Sequence, residues 1–97
     1  MTPSTFRSDL VVGHAPEVMS EELSGGIVLY SIEYHKAVHL NETASLIWRL
    51  SDGSRTVRQI IEDVLQEFPD DGASVRADVT ETLSLLLSEG ILSPVSQ

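Results

Sequence analysis

From Val18 to Leu40 hydrophobic positions fall in short extended runs, and from Asn41 onward they recur with a helical period. Val18–Leu23 reads as a strand, and Gly25-Gly26 is expected to supply the positive φ angles of a tight hairpin turn. Ile27–Ile32 is apolar on both faces apart from Ser31, the pattern of a central strand. Glu33–Lys36 turns the chain into a third strand, Ala37–Leu40. There Val38 and Leu40 point one way, Ala37 and His39 the other. Upstream, residues 1–8 read as a loose terminus, and Leu10–Val12 is a short apolar run ended by Gly13 and Pro16.

The helices carry clearer signals. Asn41 is a good N-cap for a helix over 42–51 with Leu46, Ile47 and Leu50 inward, and Asp52-Gly53 ends it. Thr56 and Gln59 have capping-box spacing. Val57, Ile60, Ile61, Val64, Leu65 and Phe68 then form one amphipathic stripe, stopped by Pro69. After a DDGAS loop, Ser74 is the expected cap of a third helix running to about Glu89 before Gly90, with Val75, Val79, Leu83 and Leu86 inward. Leu85 and Leu87 lie on opposite flanks of that stripe, so one of them is available to a groove, a partner protein or a second copy. The fold class is therefore α+β and winged-helix-like, a three-stranded antiparallel sheet followed by three α-helices. It occupies residues 18–92, between an N-terminal arm (1–17, loose or a short strand) and a C-terminal tail (93–97).

Winged helices often bind nucleic acid, and charge changes that expectation. Fifteen acidic residues against six basic ones give a net charge of −9 over 97 residues, enough chain for one domain. Arg7, Lys36, Arg49, Arg55, Arg58 and Arg76 do not cluster, and the third helix offers only Arg76. Nucleic-acid affinity comes largely from phosphate neutralisation, so no nucleic-acid partner is expected, nor an anionic membrane. The N-terminal segment has no signal-peptide pattern and no apolar run reaches the roughly 20 residues of a membrane helix, so a cytoplasmic protein is expected.

Catalytic chemistry finds little support. Cysteine is absent, which removes disulfides, thiolate nucleophiles and cysteine-bound zinc. His35 and His39, if extended, stand roughly 13 Å apart, too far to share an ion, and no metal or cofactor is expected. The acidic pairs Glu62-Asp63 and Asp70-Asp71 suit a helix face and a turn. No phosphate loop, nucleophile elbow or HExxH is present, so the chain reads as a non-enzyme.

GGIVLYSIEYHKAVHLNETASLIWRLSDGSRTVRQIIEDVL, followed by RADV and LLLSEGIL, resembles the PqqD-like proteins, the recognition elements of ribosomally made, modified peptides. The resemblance runs from about Val18 to Leu92. It is carried by the order and spacing of Leu40-Asn41, Ile47-Trp48, Asp52-Gly53 with Thr56-Val57, Arg76-Ala77-Asp78-Val79 and Gly90-Ile91-Leu92. Members serving pyrroloquinoline quinone biosynthesis tend to carry a Leu-Leu-x-Pro-Glu-Gly-like segment where this chain reads YSIEYHK over Tyr30–Lys36. The difference favours another peptide-modification system.

The resemblance implies leader-peptide capture by strand addition, and the residues suggest where. Glu21 and Glu22 guard the outer strand, whereas the edge at Ala37–Leu40 is less protected. A leader strand would pair beside Lys36, Ala37, Val38 and His39, with Arg76, Val79, Thr80 and Leu83 on the helix side. On the stripe alone, Val79 and Leu83 also read as core, as do Val38 and Leu40, and Arg76 as a solvated residue. The implied partners are a precursor leader peptide and a modifying enzyme, namely a radical-SAM protein, a peptidase or a cyclase. The spare leucines leave a homodimer open. The rival readings are a structural or dimerisation subunit of a maturation enzyme without leader affinity, and a winged-helix DNA regulator.

Overall fold

The computed structural model describes residues 9–69 and 72–95. Its elements are β1 (Val12–His14), β2 (Val18–Leu23), β3 (Gly26–Ser31), β4 (Lys36–Leu40), α1 (Glu42–Leu50), α2 (Val57–Glu67), α3 (Gly72–Ser88) and β5 (Leu92–Pro94). The fold is α+β, with a three-stranded antiparallel sheet ordered β2-β3-β4 and three helices, as the pattern predicts. Register runs from Val18↔Ser31 to Leu23↔Gly26 across the first hairpin and from Ile27↔Leu40 to Ser31↔Lys36 across the second.

Alternation along β3 turns Ile27, Leu29 and Ser31 inward, all buried, while Tyr30 faces solvent. Leu40, Ile47, Ile60, Val64, Val79, Leu83 and Leu86 complete a core shared by the sheet and all three helices. Burying each such side chain stabilises the fold by about 1.5–3 kcal/mol. The caps of α1 and α2 are those expected. Asn41 Oδ1 accepts from the Ala44 amide at 2.8 Å. Thr56 Oγ1 accepts from the Gln59 amide at 3.1 Å, and Gln59 Oε1 accepts from the Thr56 amide at 2.9 Å.

Four expectations change. Gly25 alone takes a positive φ, +88°, whereas Gly26 opens β3. Gly26 is needed for space, because a Cβ there would collide with the Leu40 carbonyl oxygen. Lys36 begins β4 instead of closing the preceding turn. Ser74 does not cap α3, since the helix already starts at Gly72, and only Asp70 and Asp71 of the proposed loop lie outside the described residues. Small and polar residues suit the first helical turn as well as the cap, which shifts such a reading by a residue or two.

The fourth change is a second sheet. Val12–His14 pairs antiparallel with Leu92–Pro94, so part of the N-terminal arm and the residues after α3 enter the fold. The Gly53 amide donates to the Val12 carbonyl at 2.9 Å and the Val57 amide to Leu10 at 2.8 Å. The arm is thus held between β5 on one side and the α1–α2 connection on the other. His14, at its end, stacks on Trp48 of α1 with ring centroids 3.9 Å apart and planes 2° from parallel.

Candidate functional site

Among the described residues no strand pairs with the outer side of β4, so its backbone edge is open. In an antiparallel ladder alternate residues direct their N–H and C=O groups away from the neighbour, which leaves such groups of β4 available to an added strand. The opposite edge, β2, carries the two expected carboxylates, in different surroundings. Glu22 forms an ion pair with Arg49 of α1 at 3.3 Å, while Glu21 stands exposed opposite Val28.

The two ends of β4 lie near opposite ends of one flank of α3. At the start of β4, Lys36 Nζ is 2.9 Å from Glu89 Oε1, just past the end of α3. Beside it the Tyr34 ring lies over Gly90, where a Cβ would strike the ring carbons. Beyond the end of β4 an open cleft of about 240 Å³ is lined by Asn41, Thr43 and Ala44 from the head of α1 and by Asp78, Glu81 and Thr82 from α3. Residues 78, 81, 82, 85 and 89 recur at helical spacing and share one flank of α3, which meets Lys36 at Glu89 and lines the cleft beside Asn41 at Asp78, Glu81 and Thr82. On that flank Leu85 is 51% exposed.

The residues expected at the site separate into three groups. Lys36, Ala37, Val38 and His39 do form the open strand. Ala37 and His39 are exposed on the outer sheet face opposite Tyr30 and Val28, and Val38 is half-buried on the inner face opposite Leu29. Val79 and Leu83 are fully buried in the core. Arg76 and Thr80 sit, at about 100° of rotation per residue, on the flank of α3 turned away from Asp78 and Leu85. The Thr80 hydroxyl donates to the Arg76 carbonyl at 2.9 Å. The helical stripe does not point to the flank of Asp78, Glu81 and Thr82; the off-stripe position of Leu85 does.

The electrostatics are acidic. Lys36, Arg49 and Arg55 are already paired with carboxylates, Arg55 with both Asp52 at 3.0 Å and Asp63 at 3.1 Å. Among the described residues no group of three His, Asp or Glu side chains is placed to hold a metal ion. No described helix is long and apolar enough to cross a membrane.

An open edge strand bordered by a helix flank, on a small sheet backed by three helices, defines a winged-helix-like recognition domain. The chain belongs to the PqqD family: the family model described as coenzyme PQQ synthesis protein D matches residues 26–92. Two solved structures are similar to it. TbiB1, in complex with the TbiA(beta) leader peptide, has a TM-score of 0.74 and 20% identity, covering 88% of this chain and 99% of TbiB1. The PqqD truncation of Methylobacterium extorquens PqqCD has a TM-score of 0.69 and 27% identity, covering 96% of this chain and 99% of that one. That solution structure represents a functional, stand-alone recognition element for ribosomally synthesised and post-translationally modified peptides. No curated protein matches the chain in sequence.

Proposed function

We propose that this chain is a non-catalytic recognition protein. It adds the leader of a ribosomally synthesised precursor peptide to the free edge of β4 and presents the remainder to a modifying enzyme, such as a radical-SAM protein, a peptidase or a cyclase. The observation that carries this reading is the unpaired side of Lys36–Leu40, with Glu89 at its start and the cleft between Asn41 and Asp78 beyond its end. Main-chain pairing supplies affinity there, and side-chain contacts with the helix supply choice. Family membership supports the reading, as does the leader peptide bound to the similar TbiB1. Tethering the leader raises the local concentration of the attached segment at the enzyme, and this requires no chemistry from the recognition protein itself. The YSIEYHK segment supports a peptide system other than the quinone pathway.

A subunit docked on its enzyme is a second reading, favoured by the outer face of the sheet. Met19 and Tyr30 are exposed there beside Val28, and these side chains line an open, mainly apolar hollow. The two readings separate in one experiment. The amide NMR spectrum is followed while synthetic leader peptides from neighbouring reading frames are added. Strand addition shifts the Lys36–Leu40 amides, slows hydrogen exchange at alternate residues of β4, and saturates at micromolar concentration. Undisturbed β4 amides with every such peptide, together with shifts at Met19 and Tyr30 on adding the enzyme, would establish the subunit reading instead. Trp48 fluorescence is a poor reporter, because the indole stacks on His14 about 10 Å along α1 from Asn41.

A further inference from the structure

The groove is chemically different at its two ends, and this difference specifies the peptide that fits. At the start of β4 the charge is neutralised within the chain by the Lys36–Glu89 pair. At the far end Asp78 and Glu81 line the cleft with Asn41, Thr43, Ala44 and Thr82, and no cation is among the lining residues. Neither carboxylate forms an ion pair among the described residues. The head of α1 carries a partial positive charge, but the Asn41 side chain occupies the Ala44 amide and Glu42 offsets the rest. Leu85 stands between the two ends, half-exposed on the same flank.

The spacing sets a pattern. Leu85 and Glu81 are one helical turn apart, roughly 6 Å along α3. Two residues of an extended peptide advance roughly 6.6 Å and return to the same face. We infer that the peptide taken by this site carries an apolar side chain against Leu85 and, two residues away on the same face, a lysine or arginine against Glu81 and Asp78. The basic residue lies toward Asn41. This rests on strand addition at β4. The acidic residues act here as the selecting wall of that groove, and a glutamate at the same peptide position meets two like charges.

The test is selection of randomised decapeptides displayed against the full chain, followed by binding measurements with the winners. Expected winners carry Lys or Arg two positions from Leu, Ile or Phe and shift the β4 amides. Replacing that Lys by Glu weakens binding about fivefold or more at low salt, and the Asp78→Asn, Glu81→Gln double variant removes most of the difference. Both substituted residues are at or near the surface, and an unchanged β4 spectrum of the free variant confirms that it is folded. Winners that shift β4 without basic enrichment overturn the charge pattern and leave strand addition standing. Winners that leave the β4 amides unmoved overturn strand addition and the pattern with it.

Discussion

Lys36 Nζ and Glu89 Oε1 meet at 2.9 Å, joining the first residue of β4 to the residue just after α3. The pair closes one end of the interval between the open strand and the helix flank. The opposite end stays open between Asn41 and Asp78. The groove therefore has a fixed end and an accessible one, set by two residues far apart in the chain.

The energetic consequence of that contact is small. The Lys36 side chain is 54% exposed and that of Glu89 24%, so solvent screens the attraction. Lys36→Ala and Glu89→Ala are each expected to cost under about 1 kcal/mol in urea unfolding. A loss beyond about 2 kcal/mol in either would mean that the pair holds the sheet against α3, not merely the end of the groove.

Gly90 has a stronger claim on stability. Its φ of +77° suits glycine, and the Tyr34 ring occupies the space a Cβ would take. Gly90→Ala is expected to cost about 1–3 kcal/mol. In the Tyr34→Ala background the cost should fall to the backbone component alone, about 1 kcal/mol. A double-mutant cycle measures the difference, and an equal cost in both backgrounds would remove the ring contact as its cause.

Asp52 gives the fold an acid-side dependence. Side-chain and backbone hydrogen bonds from Ser54 hold its carboxyl below the ordinary value of 3.8, with Arg55 adding to the effect and slight burial opposing it. A folded-state pKa below the unfolded one contributes stability that is fully present above about pH 3.8. That contribution is lost as pH falls through the depressed native value. The Asp52 side chain is 44% exposed, so the effect is modest. Unfolding curves from pH 5 down to about 2 should show Asp52→Asn losing less stability on acidification than the parent chain. Parallel curves would exclude Asp52 as a source of the acid response.

Much of this architecture was legible because its causes are local. Asn41 capping Ala44 and the reciprocal Thr56–Gln59 pair need only residues three apart. The α2 stripe and the alternation of Ala37 to Leu40 likewise depend on period alone. The open edge of β4 was legible for the same reason. The surroundings of α3 were not, because a stripe identifies the buried centre, Val79 and Leu83, and is silent about which flank meets a neighbour. Gly26 shows a further limit, since the atom that requires glycine there belongs to Leu40, fourteen positions later (40 − 26).

The amino-acid pattern alone determined three strands, three helices with caps on the first two, an acidic composition and one unguarded strand edge. Each follows from backbone preference, side-chain period or charge within a few residues. Only the tertiary structure decided that β1 pairs with β5, that His14 stacks on Trp48, and that Asp78 and Glu81 share a cleft with Asn41. These relationships depend on how the elements rotate and cross when one core is filled from all sides, and that geometry belongs to the whole chain.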